Sequence, residues 1–239
     1  LLVFFTIIII MINGFYKSKI SCLKSEYNSL KLDKEALLEL IDDAELPEAV
    51  YHSNAIENST LSIDETEKVL MSLEMSRDVS VREVFEAKNL ARVSAYMKKH
   101  YQDRLLNIEF ICFLHRLLLE NIQEGIAGRF REGQEFVRVG TYIASEPSEI
   151  IRLMNQILTR YVEDTDTFFL EKIARFHLDF ECIHPFCDGN GRIGRILINM
   201  QLLQLGYPKI TIRFKDKKIY FDAIKTYQKT NNSEAMEAL

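Results

Sequence analysis

Proline and glycine are scarce in this sequence, with four and nine occurrences among 239 residues. Folds built from many strands and turns use both residue types often, so their scarcity favours helices. The sequence also lacks a repeat at the periods of solenoid proteins, and it lacks a proline- or glycine-rich linker. We therefore expect one main domain with extra helices, large enough to bury a sizeable core.

Zinc-binding and disulfide patterns are missing as well. The four cysteines, Cys22, Cys112, Cys182 and Cys187, form no CxxC pair and have no histidine at zinc-site spacing. We expect reduced thiols in a cytoplasmic protein.

The net charge is −5, from 30 basic and 35 acidic residues, so we expect no nucleic-acid partner. The sequence leaves the oligomeric state open, a homo-oligomer included.

The N-terminal segment, residues 1–16, is apolar and reads LLVFFTIIIIMINGFY. A membrane-spanning helix needs about 20 apolar residues, and a secretory signal begins with a basic region. The segment meets neither condition. Three interpretations stay open: the end of a membrane anchor, a buried helix, or mistranslated flanking sequence. Membrane contact and anchoring are expected only under the first of these.

Three parts are expected along the chain. The apolar segment 1–16 precedes an N-terminal helical region, 17–75, and a core domain, 76–239. The last helix of the core is expected to be still running at Leu239, so a truncated C-terminus is one interpretation.

Apolar residues recur at helical spacing in four stretches of the sequence. These stretches are Val81–Tyr101, Ile108–Ile122, Phe169–Phe180 and Ile193–Leu203. Spacings of three and four place apolar residues on one face of a helix, which is typical of a helix packed against a core. The fold class is therefore predicted to be all-α.

Two short segments favour strands. Gln134–Pro147 is rich in β-branched and aromatic residues and has Gly140 at its middle, which predicts a short hairpin. Lys209–Phe214, followed by a turn at residues 215–217, is a second candidate. We expect one or two small hairpins beside the helices.

The most informative segment is His184–Arg195, which reads HPFCDGNGRIGR. Pro185 should end the preceding helix, because it lacks an N–H and disfavours helical geometry at the residue before it. Gly189 and Gly191 permit backbone angles that let successive N–H groups point into one concavity. The helix that begins near Gly191 adds unpaired amides and a positive end. These features predict a site for a polyanion.

Charged side chains in this segment match that prediction. Arg192 and Arg195 are three residues apart, so both can lie on the same side of the first helical turn and donate to phosphate oxygens. Asp188 offers the single carboxylate that Mg²⁺ needs when substrate phosphates and water supply its other ligands. An imidazole normally titrates near neutrality, so His184 is expected to take a proton from an attacking hydroxyl. We predict phosphoryl or nucleotidyl transfer from a Mg²⁺-bound nucleotide.

The glycine spacing also matches a dinucleotide-binding pattern, GxGxxG, through Gly189, Gly191 and Gly194. That pattern must follow a hydrophobic strand, whereas here it follows a helical stretch, and the lysine of a Walker motif is missing. We therefore reject a dinucleotide site. His177 lies beside the apolar face of the preceding helix and is interpreted as structural.

The segment HPFCDGNGRIGR resembles, at every specified position, the signature HxFx(D/E)GNGRxxR of the Fic (filamentation-induced-by-cAMP) family. The similarity extends to Gly128–Arg131 and the hairpin after it, and it covers roughly Tyr51–Tyr227. The resemblance implies a Fic-type helical bundle with a small β-hairpin flap. It also implies an enzyme that moves AMP from ATP to a Tyr, Ser or Thr hydroxyl of a target protein.

The family's roles then fall on particular residues. The resemblance implies that His184 deprotonates the target hydroxyl and that Asp188 holds Mg²⁺ against the α- and β-phosphates. Asn190 is expected to contact the α-phosphate, and the amides of Gly189 and Gly191 to surround the β-phosphate.

The same resemblance assigns four further roles. Arg192 is expected at the β/γ region, Arg195 at the γ-phosphate and Phe186 as an anchor in the core. The flap is expected to pair with the target's backbone as an added strand. Its residues are Val137, Arg138, Val139, Gly140, Thr141 and Tyr142.

A second motif, Ser53–Asn58 (SNAIEN), is similar to the family's inhibitory pattern (S/T)xxxE(G/N). The similarity implies that Glu57 pairs with Arg195 and occupies the place where Arg195 should hold the γ-phosphate. ATP then binds only in a non-productive pose.

Two alternatives remain open. In similar proteins the residue that matches Glu57 can position a water that removes AMP from a modified protein, and some relatives move UMP, phosphate or phosphocholine. A non-catalytic nucleotide-sensing regulator is the alternative from another class. Loss of a general base costs about 10²–10⁴ in rate, so a His184→Ala variant separates an enzyme from a regulator.

Overall fold

The computed structural model describes residues 2–139 and 142–239, with side chains from Tyr16 onward. Gly140 and Thr141, two of the predicted flap residues, lie outside the described residues. The chain divides after Glu45 into two compact units. The first unit consists of α1 (Leu2–Leu30) and the beginning of α2 (Glu35–Ile56). Within the described ranges, none of the helices combines the length and the apolar character that a membrane crossing requires.

Among the described residues, the second unit contains the end of α2, eight further α-helices and one hairpin. The helices are α3 (Ile63–Leu70), α4 (Val81–His100), α5 (Ile108–Leu119), α6 (Ile150–Glu163), α7 (Phe169–Ile183), α8 (Asn190–Gln204), α9 (Lys217–Thr230) and α10 (Glu234–Glu237). Strands β1 (Arg138–Val139) and β2 (Tyr142–Ile143) pair antiparallel, with Arg138 opposite Ile143. The prediction of an all-α fold with a small hairpin is confirmed.

Several helices, α6 among them, form the main core of this unit. Helices α4, α5, α7 and α8 contribute the buried residues Leu90, Leu114, Phe180 and Leu197. Full burial of a large apolar side chain stabilises a fold by about 1.5–3 kcal/mol. Because α7 and α8 lie side by side at the centre, the segment that joins them is held on rigid elements.

Polar side chains set the limits of the core helices. Ser80 caps α4 by accepting from the amide of Glu83. Helix α5 ends at Leu119, three residues before the predicted end, because the chain turns to extended geometry at Glu120. The side-chain amide of Asn89 donates to the carbonyls of Leu118 and Glu120 and so satisfies two groups at this helix end.

The second predicted hairpin, at Lys209–Phe214, is wrong. Residues 209–213 belong to no strand of the described chain, and Phe214–Asp216 form a 3₁₀ turn. Side chains take the place of a strand here. The Asn199 amide bonds both the N–H and the carbonyl of Ile210, at 2.8 and 3.0 Å, and Nδ1 of His52 accepts from the amide of Phe214 at 3.2 Å.

Candidate active site

The segment between α7 and α8 makes a tight turn. Helix α7 ends at Ile183, and His184 adopts the left-handed conformation with φ 51°, just before Pro185. A residue other than glycine in this region is uncommon, and such outliers concentrate at functional sites. Asn190 clasps the turn, since its side chain bonds both the amide and the carbonyl of Phe186, at 2.9 and 2.8 Å. The turn therefore presents His184 in one fixed place.

The first amides of α8 are open. Gly189, with φ 80°, precedes the helix, and its carbonyl accepts from Ile193. Among the described residues, no protein acceptor is found for the amides of Asn190, Gly191 and Arg192. We call these three amides the α8 cradle. Unpaired amides at the positive end of a helix attract anions.

The carboxylate of Glu57 lies over the α8 cradle. A Cβ on Gly191 would overlap this carboxylate, so the close approach requires glycine at that position. Oε1 of Glu57 accepts from Nη2 of Arg195 at 2.9 Å. Ser53 holds the same guanidinium through its hydroxyl, at 2.9 Å from Nε, and through its carbonyl, at 2.8 Å from Nη2. The Ser53–Asn58 motif thus supplies a negative group beside the open amides and binds Arg195.

His184 is a neutral base in this setting. Its side chain is 15% exposed, and Oε2 of Glu181 lies 4.0 Å from Nδ1. Burial lowers the pKa of His184 to about 4, and the nearby charge of Arg131 acts in the same direction. The imidazole therefore carries a free lone pair at neutral pH and can accept a proton.

Asp188 is an ionised carboxylate held between two arginines. Oδ2 accepts from Arg82 at 2.6 Å, and Oδ1 accepts from Arg192 at 3.0 Å and from the amide of Gly189 at 2.6 Å. Burial raises the pKa of Asp188, but Arg192 and Arg82 outweigh burial, so the pKa is lowered overall. An ionised, partly exposed carboxylate beside the α8 cradle fits Mg²⁺, which takes one protein carboxylate when phosphates supply other ligands.

Two residues of the motif have partners other than those implied by the resemblance. The Asn190 side chain is buried and bonded to Phe186, and the Arg192 side chain, 3% exposed, bonds Asp188 and Glu86. Their amides belong to the α8 cradle. Contact of these two side chains with phosphate stays a prediction.

Sequence reasoning missed His115, which packs under the turn. Its ring stacks on Phe186 with centroids 3.7 Å apart and planes 7° apart. Nδ1 accepts from the amide of Gly128, and Nε2 therefore donates to the carbonyl of Asp188 at 2.9 Å. Phe186 is fully buried, as the resemblance implied. His115 thus supports the backbone that carries Asp188.

The role of Arg131 was also missed, although its motif was noticed. Arg131 is 2% exposed and donates to the carbonyl of His184 at 2.8 Å, while its own amide donates to the carbonyl of Pro185. It also donates to the carbonyls of Glu135 and Ser145, on either side of the hairpin. One guanidinium thus connects the His184 turn with the flap segment.

The described part of the predicted flap contains Val137–Val139 and Tyr142. The amide of Ala144 donates to the carbonyl of Val137, which continues the pairing of β1 with β2. Phe136 and Ile143 expose more than half of their surface. The hairpin therefore presents apolar side chains next to the segment that carries His184.

Known proteins resemble this chain in sequence and in fold. Residues 105–202 match the family described as Fic/DOC family. Protein adenylyltransferase Fic of Nematostella vectensis is 30% identical over 178 residues, which are 72% of this chain and 41% of that protein. Protein adenylyltransferase fic-1 of Caenorhabditis elegans is 30% identical over 184 residues, which are 73% and 35%. The chain spans less than half the length of these curated relatives.

Solved structures agree with this assignment. A Fic domain containing signaling protein from Bacteroides thetaiotaomicron superposes with a TM-score of 0.80 at 29% identity, covering 91% of this chain and 84% of that chain. Fic-1 from C. elegans superposes with a TM-score of 0.84 at 22% identity, covering 98% and 69%, and is similar in fold. The family match, the relatives and the HPFCDGNGRIGR turn together establish that this chain belongs to the Fic/DOC family.

Proposed function

We propose that this chain transfers AMP from Mg-ATP to the hydroxyl of a Tyr, Ser or Thr side chain of a target protein, and that Glu57 restrains the reaction. One observation carries the proposal. The carboxylate of Glu57 lies over the open α8 cradle and holds Arg195, beside a neutral His184. The names of the curated relatives, protein adenylyltransferase, support the same reaction class.

The α8 cradle would hold the triphosphate, because its amides lack protein acceptors in the described chain and α8 begins there, at the positive end of its dipole. Asp188 would hold Mg²⁺, which neutralises charge on the phosphates when it is bound. His184 takes the proton of the target hydroxyl as the oxygen attacks the α-phosphorus and pyrophosphate leaves. Positioning and charge neutralisation dominate such transfers, so the fixed turn matters as much as the base.

Glu57 would inhibit by occupying the place of a phosphate. While its carboxylate and Ser53 hold Arg195, that guanidinium is withheld from the γ-phosphate. A carboxylate over the α8 cradle also repels a phosphate oxygen. ATP bound in this state would lack the contact between Arg195 and its γ-phosphate, and its α-phosphate would be poorly placed for attack.

The flap would bind the target by strand addition. A two-stranded hairpin offers backbone groups at its outer edges, and an added strand is a common way to bind an extended peptide. Exposed Phe136 and Ile143 support contact with apolar target side chains. Arg131 would keep the bound segment in register with His184, since it bonds carbonyls of both regions.

Removal of AMP is the second candidate function, because a carboxylate beside the α8 cradle could position a water for attack on the same phosphorus.

The location that we propose is the cytoplasm, since Cys22, Cys112, Cys182 and Cys187 are all free thiols.

Transfer of labelled ATP tests the proposal. We expect a Glu57→Gly variant to label protein in a lysate more strongly than the original chain, and a Glu57→Gly, His184→Ala double variant to lose about 10²–10⁴ in rate. Glu120→Gly is the matched control, because Glu120 also follows the last residue of a helix but pairs with Arg92 at the surface.

The outcomes separate the candidates. Equal labelling by the Glu57→Gly variant and the original chain would remove the inhibitory role. Labelling that survives loss of His184 would remove the assigned base. Release of AMP from a purified modified target, dependent on Glu57, would instead establish the reverse reaction.

A further inference from the structure

Glu181 is a buried carboxyl group that the proposed reaction does not use. The residue is 7% exposed, and its Oε1 has no hydrogen-bond partner among the described residues. Oε2 lies 4.0 Å from Nδ1 of His184. A buried carboxyl oxygen without a hydrogen-bond partner destabilises a fold, and in native structures such groups often have a functional role.

The position of Glu181 follows from the helix. Glu181 is four residues after His177 and three before His184, so the three side chains share one face of α7 and its end. Helix α8 makes room for them at Gly194, where a Cβ would lie 3.0 Å from Oε1 of Glu181 and 2.7 Å from Cε1 of His177. Gly194 therefore leaves the space that the side chains of His177 and Glu181 occupy.

Charged and polar groups from several elements face Glu181. Glu57 approaches from α2, Arg195 from α8, and Tyr220 from α9. Burial and, to a smaller extent, the charge of Glu57 raise the pKa of Glu181, Arg195 lowers it, and the result is a pKa of about 8. Glu181 is thus a neutral acid at pH 7, next to an imidazole that is also neutral.

The Nδ1 atom of His184 has no protein partner within hydrogen-bond distance among the described residues. It is the Nε2 atom that must keep a free lone pair if it is to take the target's proton, so the ring proton has to stay on Nδ1. An acceptor facing Nδ1 fixes that tautomer and the ring orientation. Hydrogen bonds of catalytic groups are often long without substrate and tighten in the complex.

We propose that Glu181 is a positioning residue for His184: its carboxyl accepts from Nδ1–H and holds the imidazole so that Nε2 faces the target hydroxyl. The inference rests on the proposed role of His184 as the base. The backbone carbonyl of Glu181 is a second acceptor near the ring, although it too lies outside hydrogen-bond geometry with Nδ1. Any residue at this position would supply that carbonyl, so substitution of the side chain separates the two contributions.

Two variants in the Glu57→Gly background test the proposal. Glu181→Gln keeps a neutral group with an acceptor oxygen, whereas Glu181→Ala removes it. We expect the Ala variant to lower kcat for AMP transfer at least about tenfold with little change in KM for ATP, as loss of a histidine's orienting carboxyl does elsewhere. We expect a smaller loss in the Gln variant than in the Ala variant, because the amide keeps an acceptor oxygen for Nδ1–H. Glu171→Ala is the control, because Glu171 pairs with Arg175 on the surface of the same helix.

Nitrogen-15 NMR of the histidine rings gives a readout that does not depend on activity. We expect the proton of the His184 ring on Nδ1 in the parent and in Glu181→Gln, and a mixture of tautomers in Glu181→Ala. A parent-like kcat and tautomer in the Ala variant would overturn the proposal. Equal losses in both variants with an unchanged tautomer would do the same, since they indicate a structural role. If the parent itself transfers no AMP, the proposed function fails, while the NMR result still tests the contact.

Discussion

Replacement of Ser53 by Ala should release the restraint only in part. Arg195 is held by three hydrogen bonds: to the Ser53 hydroxyl at 2.9 Å, to the Ser53 carbonyl at 2.8 Å and to Glu57 at 2.9 Å. Ser53→Ala removes the first bond and keeps the other two. A hydrogen bond to a charged group stabilises by about 1.5–3 kcal/mol, and 1.4 kcal/mol is about tenfold in an equilibrium constant.

In Ser53→Ala, the ratio of the restrained state to the state with free Arg195 should therefore fall by at least about tenfold. If restraint limits AMP transfer, the rate rises by the same factor in Ser53→Ala, up to the rate of Glu57→Gly as the ceiling. Labelled-ATP transfer measures the rates, and calorimetry with ATP measures binding. Ser94→Ala is the control, because the Ser94 hydroxyl donates to the carbonyl of Leu90 within α4.

Two outcomes would refute this prediction. A Ser53→Ala rate equal to that of the original chain, while Glu57→Gly is faster, would mean that the Glu57 carboxylate blocks ATP without needing its hydrogen bond to Arg195. A Ser53→Ala rate below the original would mean that Ser53 assists the reaction.

Three further perturbations have defined outcomes. Arg131→Met leaves several buried carbonyls unpaired, so urea unfolding should show a free energy of unfolding lower by about 3 kcal/mol or more. A decrease below about 1 kcal/mol would contradict the anchoring role. Arg82→Ala frees Oδ2 of Asp188, so calorimetry should show half-maximal ATP binding at a lower Mg²⁺ concentration. Half-maximal binding at a higher Mg²⁺ concentration would show instead that Arg82 binds phosphate. Burial lowers the pKa values of His115, His177 and His184 from 6.5 to about 4, 3 and 4, respectively. The unfolded chain therefore binds more protons below pH 6.5, and the free energy of unfolding should fall between pH 6.5 and 4. Equal free energies of unfolding at pH 7 and 4.5 would contradict these shifts.

Local signals predicted the elements that carry the site. Pro185 ends α7 where expected, and the apolar periodicity located α4, α5, α7 and α8 because each packs one face on the core. Lys209–Phe214 was mispredicted for a physical reason. Strand propensity reports that a segment can be extended, but the pairing partner, here the side chain of Asn199, lies elsewhere in the sequence.

Contacts between distant residues account for most of what was missed. Arg131 reaches the carbonyl of His184 across 53 positions, and His115 reaches that of Asp188 across 73. Neither contact leaves a spacing pattern that could be recognised locally. The pairing of Glu57 with Arg195, across 138 positions, was expected only from the resemblance of SNAIEN to a family motif. Burial of Glu181 beside the base had no such motif.

The central claim is that the α8 cradle holds the triphosphate once Glu57 is gone. A structure of the Glu57→Gly variant with Mg²⁺ and a non-hydrolysable ATP analogue tests it most directly. We predict phosphate oxygens on the amides of Asn190, Gly191 and Arg192, with Arg195 turned from Ser53 to the terminal phosphate. Bound nucleotide that leaves these amides free, or an α-phosphate remote from His184, would contradict the account.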